Sequence, residues 1–107
     1  MTYKAQFLSL ENELDRLAKT RQVGKAPSFK LLDEYYALLI AYLKEINEIS
    51  TLADLNQQHL KIHPFNLAER LSYIQERKHH YMGYQQMKTL KNELIKMHAA
   101  YRVRYSK

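Results

Sequence analysis

The sequence predicts an all-α protein: a compact bundle of four to five helices joined by short loops. Three observations carry that expectation. Two Gly and two Pro among 107 residues are too few for the turns of a β-sandwich or barrel. Hydrophobic residues make up 46%, enough to build a core. They recur in steps of three and four, the period of a helix with one buried stripe. The length suits one domain, spanning 1–107, with the last few residues frayed.

The elements follow in order. Tyr3, Phe7, Leu10, Leu14 and Leu17 draw the first stripe, with Thr2 as candidate N-cap and Gly24 as the residue that ends the helix. Gly24-Lys25-Ala26-Pro27 is the clearest break in the chain, and Ser28 offers the next N-cap. From Phe29 to Ile49 the segment is the most hydrophobic, and Tyr35 to Leu43 is apolar or aromatic all round. That marks a central helix with neighbours on several sides. Thr51-Leu52-Ala53-Asp54 has the layout of a capping box and opens a short helix to about His59. Pro64 disfavours helix at His63, and Asn66 with Glu69 forms another reciprocal cap. Leu67, Leu71 and Ile74 are the next buried stripe. The pattern lapses from Arg77 to His80, and with Gly83 close by a bend or short break is expected there. Met87, Leu90, Leu94, Met97 and Tyr101 stripe the last helix.

Several function classes fall away. No cysteine means no disulfide scaffold, thiolate nucleophile or Cys-based zinc site. The longest apolar run, Tyr35 to Leu43, is nine residues, against about 20 for a membrane span. No basic-then-apolar leader opens the chain, so the expected location is cytoplasmic. Two glycines cannot build a Gly-rich phosphate loop, and no G-x-S-x-G or paired-carboxylate motif occurs. Glu11, Glu13 and Asp15 are expected on a solvated face of the first helix. His59 and His63 are four apart, but Pro64 ends the helix that would align them, and adjacent His79 and His80 diverge by about 100° on a helix. No catalytic residue, cofactor or metal site is expected.

Charge is uneven. Residues 1–54 carry seven Lys/Arg against eight Asp/Glu, whereas residues 55–107 carry ten against three. A basic end attracts polyanions or acidic protein surfaces in a salt-dependent way; the simpler reading is a solvated helix face. On the last helix, Tyr84, Lys88, Lys91, Ile95 and Arg102 share a wedge of about 60° turned away from the Met87–Leu94–Tyr101 stripe. With Lys96 and Arg104 they form the candidate surface for a partner helix or a phosphate backbone. The simpler alternative is that Tyr84 and Ile95 widen the core.

The run Lys61-Ile62-His63-Pro64-Phe65-Asn66-Leu67-Ala68-Glu69-Arg70-Leu71-Ser72-Tyr73-Ile74 resembles the motif of the YpoC-like family of small bacterial proteins. His80-Tyr81, Tyr84-Gln85-Gln86-Met87 and Glu93-Leu94 continue the resemblance, which is clearest over residues 61–97. Lys78 stands where members often have proline, and His63 separates the motif's lysine from its proline. The resemblance implies a helical intracellular protein with no established reaction. Family genes often lie near those for DNA repair and replication initiation, which implies a nucleic-acid connection. Physically, Asn66, Glu69, Arg70, His80, Tyr81 and Gln86 suit a polar latch that fixes the angle between two helices, with Glu76 and His80 pairing if the helix is continuous. Two functions follow as expectations. The first is a non-enzymatic interaction or adaptor module, binding an unknown protein or a second copy of itself; nine Tyr and no Trp are compatible with that. The alternative is a basic accessory protein that binds nucleic acid through the C-terminal helix in replication or repair.

Overall fold

Thr2 begins the first helix as expected: its hydroxyl accepts the Ala5 N–H at 3.1 Å. In a computed structural model that describes residues 2–50 and 60–105, four helices follow: α1 (Tyr3–Lys19), α2 (Ala26–Asn47), α3 (Leu67–Glu76) and α4 (Tyr81–Tyr105). No strand occurs among the described residues. The short helix expected over 51–59 lies outside them. Helix α2 packs against α1 and α4, and α3 packs against α4. The all-α bundle is therefore observed, with α2 and α4 as its central pair.

The core is aromatic at one level and aliphatic elsewhere. Phe7 of α1 meets Tyr35 and Tyr42 of α2 at centroid distances of 5.3 and 5.9 Å, and Tyr35 meets Tyr84 of α4 edge-on at 5.7 Å. These separations suit tilted and edge-to-face ring pairs. Leu14, Leu32, Leu39, Leu43, Leu90 and Leu94 fill the space around them. Several of the tyrosines are thus core residues rather than material for an exposed binding strip.

Helix ends depart from the sequence expectation in three places. Helix α1 stops at Lys19, and the left-handed residue that ends it is Arg21 at φ 58°; Gly24 also has a positive φ, 98°, but lies in the loop beyond. Hydrogen bonds from Arg21 N–H to the Ala18 carbonyl and from Gln22 N–H to the Leu17 carbonyl close the turn, so backbone satisfaction offsets the cost of a non-glycine residue there. Ser28 is not the cap of α2 but lies buried in its first turn. Its Oγ accepts the Gly24 N–H at 2.9 Å and donates to the Lys25 carbonyl at 2.8 Å, tying the incoming loop to the helix. Asn66 precedes α3 in a left-handed conformation at φ 58°, not the extended one typical of a capping residue, and makes no side-chain cap bond. The Asn66–Glu69 reciprocal cap is not formed.

Buried Asn47 does work that the sequence reading missed. Its Nδ2 donates to the Leu43 and Ile62 carbonyls, both at 2.9 Å, and its Oδ1 accepts the Ile62 N–H at 2.7 Å. One side chain thereby fastens the non-helical segment before α3 onto the end of α2.

The expected break lies at Arg77–His80, between α3 and α4, so Glu76 and His80 do not share a helix; Glu76 pairs with Arg77 instead, at 3.3 Å. Gly83 is not part of the break. It sits within α4, where a Cβ would lie 1.7 Å from the Arg77 carbonyl oxygen. A Cβ on Gly24 would meet the same turn, 3.4 Å from the His79 carbonyl oxygen. The two glycines border one turn for different reasons: Gly83 lets α4 close on the α3–α4 turn, whereas Gly24 is needed for its φ of 98°, a Cβ there making only an ordinary contact.

Candidate interaction surfaces

Helix α1 presents Glu11 and Asp15 one turn apart, and α4 presents Tyr84, Lys88 and Lys91 at matching intervals. Long side chains bridge the two helices. Tyr84 Oη donates to Asp15 Oδ1 at 2.8 Å, and Lys88 Nζ reaches the same oxygen at 3.2 Å. Lys91 Nζ lies 2.7 Å from Glu11 Oε2, and Tyr35 Oη donates to that oxygen at 2.6 Å. The wedge expected to face outward is thus turned inward over this stretch: Tyr84 is fully buried and Lys91 is 8% exposed. A single-stripe reading of α4 fails because the helix is seated among several neighbours and buries a wider arc. Glu11 and Asp15 are correspondingly not a free solvated pair.

This seam gathers titratable groups, the usual mark of a reactive centre, yet its chemistry runs the other way. Burial first, then the Glu11 carboxylate, pushes the Tyr35 phenol far above its ordinary value; burial and Asp15 do the same to Tyr84. Both are held as neutral donors, and both carboxylates are engaged by phenol and ammonium. Tyr42 is pushed up by burial, and burial holds His98 below the usual imidazole range. No group of three or more His, Asp or Glu residues able to hold a metal occurs among the described residues.

The rest of the wedge diverges. Ile95 packs half-buried against the core. Lys96, Arg102 and Arg104 are exposed, and none forms an ion pair among the described residues. Val103 is 83% exposed beside them.

The motif residues around α3 form a second surface. Arg70 of α3 donates to Glu93 of α4, so it does lie across a neighbouring helix. Asn66, Glu69, Arg70, Tyr73 and Gln86 line a shallow groove, and Phe65 stands at its rim with 87% of its surface exposed. His80 supplies backbone: its N–H donates to the Arg77 carbonyl and its carbonyl accepts the Tyr84 N–H. Tyr81, half-exposed, lies with Ala18, Arg21 and Val23 in a recess of about 260 Å³. Of the proposed latch, Arg70 and the backbone of His80 hold helices together, while Asn66, Glu69 and Gln86 face the groove.

The model of the family described as "YpoC-like protein" matches residues 1–106. The chain belongs to the YpoC-like family. The match extends the resemblance from residues 61–97 to nearly the whole chain, so the α1–α4 seam falls inside it as well as the Phe65 groove. No curated protein and no solved structure matches the chain. No helix among the described residues is long and apolar enough to cross a membrane.

Two features of this YpoC-like chain escaped the sequence reading. One is the exposure of Phe65, which no periodicity signals because the residue lies outside a helix. The other is a stretch from Arg16 to Leu32 with five Lys/Arg and no acid. Dividing the chain into halves concealed it, since the acids of α1 and α2 on either side cancel its charge; a sliding count of charge would have found it.

Proposed function

We propose that this chain is a non-enzymatic interaction module that docks a protein partner on the groove rimmed by Phe65. The observation that carries the reading is the exposure of Phe65 at 87%, on a segment fixed from both sides. Asn47 clamps the chain at Ile62, and the left-handed Asn66 starts α3. An aromatic ring held in water on a rigid support is the kind of group that serves as an anchor in protein interfaces. The rim around it is polar, with Asn66, Glu69 and Gln86 available to a partner. The non-enzymatic part is supported by the seam, where the clustered acids, phenols and ammonium groups already satisfy one another. A cytoplasmic location goes with this reading and is tested by fractionating cells that produce the tagged chain.

Photo-crosslinking tests the docking face. A crosslinking residue at position 65 is compared with one at position 8, where Leu8 is also exposed, at 58%. The expected result is a discrete adduct from position 65 only, suppressed by excess unlabelled wild type and not by the folded Phe65→Ala variant. An adduct of twice the chain mass identifies the partner as a second copy. Matching adduct patterns from the two positions, or equal competition by Phe65→Ala, would sink the proposal.

A further inference from the structure

The acid-free stretch occupies one end of the bundle: the last turn of α1, the loop and the start of α2. Arg16, Lys19, Arg21, Lys25 and Lys30 are all surface residues, and none forms an ion pair among the described residues. The acids that border the stretch are already engaged. Asp15 is held by Lys88 and Tyr84, and Asp33 by Lys78 at 3.0 Å and His79 at 2.7 Å. The next acids outward, Glu13 and Glu34, form no ion pair with the five. Cations from α4 and the turn before it thus neutralise the carboxylates that would otherwise have balanced the stretch. At the same end Tyr81 is 47% exposed and shares a recess with Arg21, Val23 and Ala18.

We infer that this end binds single-stranded nucleic acid, with the five cations along the phosphates and Tyr81 as a stacking platform. Uncompensated cations attract any polyanion, but a ring beside a guanidinium in an open recess suits a flat, unpaired base. The surface differs from the Phe65 groove, and it shares only Tyr81, the first residue of α4, with the C-terminal helix on which the sequence alone had placed a nucleic-acid role.

Fluorescence anisotropy with the full chain tests this, using a labelled 20-mer of deoxythymidylate, an abasic strand of equal length and a labelled polyglutamate. Arg21→Glu with Lys25→Glu reverses two charges at the proposed site. Lys96→Glu with Arg102→Glu makes the same charge change toward the other end of α4. Binding of the base-bearing strand is expected to fall more than about tenfold in the first pair and less than about threefold in the second. The salt slope of the first pair falls by about 1.4 for two lost single-strand contacts. Tyr81→Ala weakens the base-bearing strand toward the abasic one, while Tyr81→Phe retains affinity; thermal melts confirm that each variant is folded. Equal losses from the two charge pairs overturn the proposal. So do equal binding of abasic and base-bearing strands, tighter binding of polyglutamate, which would mark an acidic protein surface as the ligand, and absence of binding at low salt.

Discussion

The two halves of α4 are built from similar residues and meet different surroundings. From Gly83 to Leu94 it is packed among the other helices: Tyr84 and Lys91 are buried and their polar ends reach α1 carboxylates. From Ile95 to Tyr105 the same chemistry is largely left in water, with Lys96, Arg102, Val103, Arg104 and Tyr105 exposed. The difference lies in what stands opposite. Glu11 and Asp15 supply acceptors for the first half; His98, through Tyr42 Oη at 3.4 Å, is the comparable polar contact of the second. A basic residue becomes structural or available according to whether a neighbouring helix brings a carboxylate to it.

Substitution at the packed end breaks this contrast most strongly. Gly83→Ala sets a methyl group into the Arg77 carbonyl, and the turn must move. The expected cost is about 3 kcal/mol, seen as a fall in Tm of more than about 10 °C, whereas Val103→Ala in the other half leaves Tm within about 2 °C. An unchanged Tm for Gly83→Ala would contradict the closeness of that contact.

Alkaline pH attacks the same half through the phenol of Tyr84 and that of Tyr35, which packs against it from α2. Tyr35 and Tyr84 bind their protons more tightly in the folded chain than in the unfolded one, so their contribution is intact below the ordinary tyrosine value of about 10 and is lost as pH rises above it. Each phenol lowers stability by about 1.4 kcal/mol per pH unit beyond that point. Urea unfolding at pH 8 and pH 11 measures the loss, and Tyr84→Phe, which cannot ionise, flattens the dependence. A Tyr84→Phe curve parallel to wild type would show that the phenol is not held neutral.

Removing the buried ammonium comes next. Lys91→Ala leaves Glu11 with Tyr35 alone and costs about 2 kcal/mol by chemical denaturation, while Lys96→Ala stays within about 0.5 kcal/mol. Similar losses at the two positions would dissolve the distinction between the halves. The smallest effect sharpens it from the opposite side: Lys88→Ala removes a partly exposed pair with Asp15 and is expected to cost about 0.5 kcal/mol. The loss should shrink in high salt, because the exposed pair is screened more than the buried one.

Helix spacing made much of the fold legible. The stripes of α1, α3 and α4, the Thr2 cap and the interruption near Arg77 follow from local periodicity and local hydrogen bonding, which the chain carries wherever it folds. The candidate surfaces were less legible. Periodicity places Tyr84 and Lys91 off the main stripe of α4, but the width of the buried arc depends on how many helices surround it. Asn66 and Gly24 have the right residue types for caps, yet neighbouring backbone bonds decided that Arg21 takes the left-handed end of α1 and that Ser28 receives the Gly24 N–H. Asn47 carries no signal in its surroundings; only the return of the chain at Ile62 gives it three partners.

By itself the sequence determined the helices, a membership in the YpoC-like family and a surplus of positive charge, because these depend on residue type and spacing along the chain. Tertiary structure alone decided which of those charges are used up. Acids of α1 and α2 are taken by cations and phenols far away in sequence, leaving the end around Arg21 without an ion pair among the described residues and Phe65 in water. Coulomb attraction and burial depend on distance through space, and that distance is set only when the helices meet.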